Sequence, residues 1–197
     1  MAVLVEHNKR KREILEKSLE LFIEEGYEDV TFQKIADKCG ITRTTLYIYF
    51  KNKREIFVYS IKQMTETLEK SLIKIIKDDS LTSIDCLRNI FEEILSHIEN
   101  NSQLFKVLLI YLIQLQKSGV NVDERVTRRV IRVQHLMSTI IIRGQKKGEI
   151  KQMSVKEAND LFYSQMECAI FRLAVLGKKQ LTGIREMINY IIENIKA

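Results

Sequence analysis

The chain has no proline in 197 residues and only 7 glycines. Proline removes a backbone donor and clashes with the preceding helical turn, and glycine marks turns and caps, so a chain this poor in both has few places to interrupt a helix. Long helices joined by short connections are therefore expected. The apolar share is 45% against 29% charged, a globular balance rich enough in Leu, Ile, Val and Phe to exclude disorder for the bulk of the chain.

The 3 cysteines, Cys39, Cys86 and Cys168, are odd in number and widely spaced, without a C-x-x-C pair. That pattern argues against a disulfide framework or a thiolate metal cage and for a reducing compartment. The apolar stretch Ala2 to Val5 is too short for a signal-peptide core, and the longest apolar run, Val107 to Ile113, cannot span a bilayer. A cytoplasmic protein without membrane association is expected. The net charge of +6 is compatible with nucleic acid but decides nothing alone, so any DNA-binding face must come from local placement.

Helical periodicity organises the rest. Ile14, Leu15, Leu19, Phe22 and Ile23 place a first amphipathic helix at about 8–25, with Gly26 at its C-terminal cap. Thr31 caps a short second helix that ends at Gly40, and Thr42 caps a third that runs to about Ile48. Asn52 with Glu55 three residues on forms a capping box that opens a long fourth helix, about 52–76, which links two domains. Further helices are expected at about 82–100, 102–117, 122–146, 154–177 and 181–196, giving about nine in all. The helix at 102–117 is apolar nearly all round and is the candidate centre of the second domain. The reading is an all-α chain with a three-helix N-terminal domain over 1–52 and a larger helical domain over 53–197.

The segment Thr31 to Glu55 carries the chemistry. Two helices of about two turns each across a tight turn make a helix-turn-helix. Ala36 is small where the helices cross, Gly40 can take positive φ, and Ile41 and Leu46 lock the second helix onto the first. Thr42 then presents Arg43, Thr44 and Thr45 at the helix end that enters a major groove. Arg43 can bond a guanine bidentately, and Thr44 or Ile48 can pack on a thymine methyl.

The stretches G-Y-E-D-V-T, I-A-D-K-C-G and T-L-Y-I-Y-F-K-N-K-R-E resemble the DNA-binding domain of the TetR family of transcriptional regulators, closely over about 50 N-terminal residues. The resemblance implies phosphate contacts from Thr31 and Lys34. It implies base-edge or phosphate roles for Thr42, Arg43, Thr44, Thr45, Tyr47 and Ile48, and places Tyr49, Lys51 and Lys53 on the DNA backbone. Two positions depart from the pattern: Thr44 stands where members often carry Gly, and Ile48 where a polar base-reading side chain is frequent. Beside these roles stand plainer ones. Tyr47 and Tyr49 can be packing aromatics, Lys51 and Lys53 a solvated helix start, and the run Lys9 to Arg12 either a phosphate contact or a solvated first turn.

One short recognition helix offers few base contacts, so a homodimer on a palindromic duplex is expected, its half-sites about 34 to 36 Å apart. The apolar stripes of the last two helices supply candidate dimer residues Leu161, Met166, Ile170, Leu173, Ile184, Ile188 and Ile191. Phe91, Phe105, Tyr111, Phe162, Tyr163 and Phe171 are candidates to line a small-molecule effector pocket, with Glu167 or Glu93 available to a cationic ligand if buried. Glu93 and His97 form half a metal site at most, and neither a metal nor a cofactor is expected. No nucleophile, P-loop or dinucleotide motif announces an enzyme. The expected function is a ligand-responsive repressor. The rival is a helical scaffold or lipid carrier that does not bind DNA.

Overall fold

The structure is a computed structural model that describes residues 2–177 and 180–197, with side chains described except at residues 2–4 and 123–130. The helices are α1 (Ala2–Glu25), α2 (Phe32–Cys39), α3 (Arg43–Tyr49), α4 (Lys53–Ile76), α5 (Ser83–Asn100), α6 (Ser102–Lys117), α7 (Asp123–Lys147), α8 (Val155–Ala174) and α9 (Thr182–Ile195). Among the described residues the extended pairing is a single isolated bridge, Ile150 with Lys196. The all-α expectation holds. The main boundary difference is α1, which starts at Ala2 rather than near residue 8, because no helix breaker separates that stretch from the core-packed turns that follow.

The chain divides into two compact units, Met1–Thr67 and Leu68–Ala197. The first therefore takes in α4 as far as Thr67, beyond the sequence-expected boundary at 52. Its core is built from Ile14, Phe22, Ile35, Ala36, Leu46, Phe50, Ile56 and Phe57, all buried. The Phe57 ring meets Phe22 edge-on at 4.9 Å and Tyr27 at 4.9 Å, which fastens α4 to the end of α1. Two buried hydroxyls are satisfied by α1 carbonyls: Ser18 donates to Ile14 at 2.6 Å and Ser60 to Leu15 at 2.9 Å.

In the second unit the centre is α5, with Ile84, Leu87, Ile90, Phe91, Ile94, Leu95 and Ile98 all buried. This corrects the expectation for α6, which buries Leu104, Val107 and Tyr111 on one face and leaves Ile110 48% and Ile113 52% exposed. Apolar residues on every side of a helix say that it can be buried but not by which neighbours. α9 is tied to α5 by Arg185, whose guanidinium donates to Glu92 at 3.0 Å and to Glu99 at 2.6 Å, while Glu99 also accepts from the Leu181 backbone at 2.8 Å. α7 comes close to the start of α5 at Gly144, where a Cβ would sit 2.9 Å from Ser83 Cβ and 2.5 Å from Ile150 Cδ1.

Candidate nucleic-acid interface

The turn between α2 and α3 is closed from both sides. Gly40 caps α2 with φ 66°, a conformation glycine adopts without a Cβ penalty, and Ile41 N–H donates to the Ala36 carbonyl at 3.0 Å. Thr31 caps the start of α2 by accepting from Lys34 N–H at 3.1 Å, and Thr42 caps α3 by accepting from Thr45 N–H at 3.1 Å. Leu46, fully buried, pins α3 to the unit from beneath. A seven-residue helix with one buried side chain is held by its ends and by that single anchor.

The rest of α3 faces outward. Thr42, Arg43 and Thr44 are exposed, Thr45 is half-buried, and Tyr47 and Ile48 are 50% and 70% exposed. Isolated surface apolar residues are ordinary, but Ile48 beside Tyr47 on a short helix that buries little else gives a protruding ridge. That ridge is ordered. The Tyr47 ring lies 4.5 Å from that of Phe32, and Arg43 donates to the Tyr47 hydroxyl at 3.2 Å with its guanidinium 5.7 Å from the ring centre. Phe32, at the first position of α2, supports this ridge. Phe32 shares the apolar face of α2 with Ile35, Ala36 and Cys39, as its helical spacing predicts, and is half-buried there.

Two lysines expected on DNA are engaged within the protomer. Lys34 Nζ bonds Glu25 at 2.5 Å and the Asp29 carbonyl at 3.1 Å. Lys53 Nζ donates to the Tyr27 carbonyl at 2.7 Å and the Glu28 carbonyl at 3.1 Å, and it lies 4.5 Å from the Tyr27 ring centre. Both ammoniums hold the connection between α1 and α2, whose carbonyls are near them and need donors. Lys51 is exposed, and its backbone N–H donates to Glu55 at 2.6 Å. In the Lys9 to Arg12 run, Arg10 bonds Glu13 and the Cys39 carbonyl, and Lys11 lies over the Phe50 and Tyr59 rings; Lys9 and Arg12 remain exposed.

The family model described as bacterial regulatory proteins, tetR family, matches residues 14–59, the segment that builds this head. The N-terminal head belongs to the TetR family of transcriptional regulators. The fatty acid metabolism regulator protein of Bacillus subtilis is 23% identical over 79% of this chain and 78% of its own length. The biofilm operon icaADBC negative transcriptional regulator IcaR of Staphylococcus aureus is 32% identical over 45% of the chain and 47% of its own length. Among solved structures, a TetR transcription regulator from Haloarcula marismortui matches with TM-score 0.84 at 18% identity, covering 96% of this chain and 100% of its own. The Bacillus subtilis regulator FadR in complex with stearoyl-CoA matches with TM-score 0.71 at 21% identity, covering 92% and 95%. The TetR-family protein described here is thus a DNA-binding transcriptional regulator, in a family of regulators rather than enzymes.

The expected effector and dimer residues fall in different environments of the second unit. Phe91 and Phe162 are fully buried and stacked on each other at 4.6 Å, so they are core. Tyr111 is buried, Phe105 and Tyr163 are half-buried against the core, and Phe171 is 51% exposed. Burial pushes the Tyr163 phenol up to about 12, with the Glu167 carboxylate beside it adding to the shift. Glu167 itself is exposed and Glu93 half-buried. Of the expected dimer residues, Met166, Leu173, Ile184, Ile188 and Ile191 lie in the protomer's own core, Ile170 is half-buried and Leu161 is 45% exposed. A stripe reveals which residues are apolar, and the protomer core takes the inward half. The exposed apolar residues of these helices and the turn after α8 are Leu161, Phe171, Val175, Leu176, Met187 and Tyr190. Among the described residues no helix is long and apolar enough to cross a membrane, and no group of three His, Cys, Asp or Glu side chains is placed to hold a metal.

Proposed function

We propose that this TetR-family protein is a cytoplasmic, homodimeric repressor without catalytic activity that occupies an inverted-repeat operator through α3 and leaves it on binding a small molecule. The observation that carries the reading is α3 itself: one buried anchor, two capped ends and an ordered exposed ridge of Arg43, Thr44, Tyr47 and Ile48. Arg43 is the candidate for bidentate guanine contact and Ile48 for a thymine methyl. Thr31, Thr42, Thr45, Tyr49 and Lys51 are assigned to base edges or phosphates around them, while Lys34 and Lys53 act indirectly by fixing the α1 to α2 connection. The dimer face is assigned to the outward residues of α8 and its C-terminal end (Leu161, Phe171, Val175, Leu176) and of α9 (Met187, Tyr190), whose exposure leaves apolar area for a second copy.

For the effector, the reading is a long-chain acyl compound. Support comes from the names of the relatives, one a fatty acid metabolism regulator and one complexed with stearoyl-CoA. It comes also from the broadly apolar second unit, in which the buried Asn159 Oδ1 and Gln114 Oε1 have no hydrogen-bond partner among the described residues and suit a ligand that brings N–H or O–H donors along with its chain. Coupling of about 1 to 3 kcal/mol between the two sites gives roughly 5 to 150-fold weaker operator binding. The test is fluorescence anisotropy on an operator duplex titrated with acyl-CoA thioesters and free fatty acids of rising chain length. Release that strengthens with chain length supports the reading; indifference to every member of both series refutes the acyl assignment and leaves the DNA assignment to be judged on binding alone.

A further inference from the structure

The N-terminal turns of α1 precede the first core residue, Ile14, and, besides the Arg10 to Glu13 pair within α1, they contact the helix-turn-helix and the first turns of α4. Arg10 reaches the Cys39 carbonyl at 3.4 Å, Lys11 lies 5.2 Å from the Phe50 ring centre, and the exposed His7 imidazole stacks on Tyr49 with ring centres 4.7 Å apart and planes 23° from parallel. Tyr49 is the last residue of α3, and Phe50 after it turns to extended backbone. In a helix-turn-helix the N-terminal residues of the recognition helix meet base edges, so a side chain at its far end stands toward the sugar-phosphate wall. A tyrosine there is suited to donate its hydroxyl to a phosphate. Left to itself, a half-buried Tyr49 would have to be ordered each time DNA bound.

We propose that His7 is a positioning residue of the DNA interface: its ring, stacked on Tyr49, holds the tyrosine hydroxyl ready for a backbone phosphate and thereby makes the start of α1 part of the operator-binding surface. The inference rests on the DNA-binding reading given above. His7 acts through the tyrosine rather than on the DNA, so its ring matters and its charge does not. Ordering one side chain in advance is worth up to about tenfold in affinity, and a tyrosine, with two rotatable side-chain bonds, sits toward the low end of that range.

Operator affinity of the full chain is measured for His7→Ala, His7→Phe, Tyr49→Phe and the double variant His7→Ala/Tyr49→Phe, with thermal melting of each to establish that the head stays folded. His7→Ala is expected to bind about two- to tenfold more weakly. His7→Phe, which keeps a stacking ring, should return to within about twofold of the wild type. Tyr49→Phe should lose about tenfold, and the double variant should bind no more weakly than Tyr49→Phe, because positioning has value only while the hydroxyl is present. Wild-type affinity in His7→Ala, failure of phenylalanine to rescue it, or losses that multiply in the double variant would each overturn the proposal. A wild-type chain that prefers no duplex sequence overturns the DNA-binding reading beneath it.

Discussion

Replacing Lys53 by methionine separates the structural account from the expectation that sequence resemblance alone creates. On resemblance, Lys53 neutralises a phosphate, and its loss lowers the slope of log K against log salt by about one unit. The structure instead has its ammonium donating at 2.7 Å and 3.1 Å to the Tyr27 and Glu28 carbonyls and resting 4.5 Å from the Tyr27 ring centre. Two hydrogen bonds at a partly exposed site are worth about 0.5 kcal/mol each, near the low end for such bonds, and an exposed cation–π contact adds about 0.5 to 1 kcal/mol. Removing the charge while keeping most of the aliphatic stem should therefore destabilise the N-terminal unit by about 1 to 2 kcal/mol. The assays are urea denaturation followed through the N-terminal unit's tyrosines, and operator binding over a range of salt. The expected result is a lower denaturation midpoint with an unchanged salt slope. A slope reduced by about one unit with stability intact would return Lys53 to the DNA backbone and refute the reasoning.

Arg43→Ala should relax preference at one base pair by about 1 to 3 kcal/mol, read by competition among single-base operator variants; equal loss on operator and random duplex would move Arg43 to the backbone. Gly144→Ala places a Cβ 2.5 Å from Ile150 Cδ1 and 2.9 Å from Ser83 Cβ, both in buried residues. Overpacking of about 1 to 3 kcal/mol should outweigh the roughly 1 kcal/mol gained in helix propensity, lowering the melting temperature, and a melting temperature at or above wild type would disprove the close approach. By hydrogen-bonding both, the Arg185 guanidinium holds the Glu92 and Glu99 carboxyls below their ordinary value. A depressed folded-state value contributes stability above the unfolded carboxylate range and loses it as the pH falls through the folded value, so Arg185→Ala should lower stability at neutral and basic pH and flatten the fall on the acid side, the two profiles converging in strong acid. Parallel wild-type and variant profiles in acid would show that the cluster contributes nothing.

The head was legible because its instructions are local. Thr31, Gly40 and Thr42 each set a cap or turn within a few residues, and the structure forms all three as read. The second unit was legible in its helices but not in its faces. Met166 and Ile188 belong to the same apolar stripes as exposed Phe171 and Met187, and only tertiary packing decides which residue of a broad stripe turns inward. The same limit explains α6, apolar all round yet half on the surface. The partners of Lys34 and Lys53 were not legible for a different reason: a lysine's long stem lets its charge reach carbonyls and carboxylates distant in sequence, and no spacing rule foretells that partner. His7 was hidden because the segment before residue 8 gave no core period, so nothing in it pointed to Tyr49.

The most direct test of the central claim is selection of duplexes from a random pool by the purified full chain, run at two salt concentrations beside Arg43→Ala. The account predicts enrichment of an inverted repeat whose half-site centres are spaced for two recognition helices, about 34 to 36 Å or a multiple, with one position degenerate in the variant. Enrichment of no sequence by the wild type at low salt, or the same sequence with the same strength in Arg43→Ala, would contradict it.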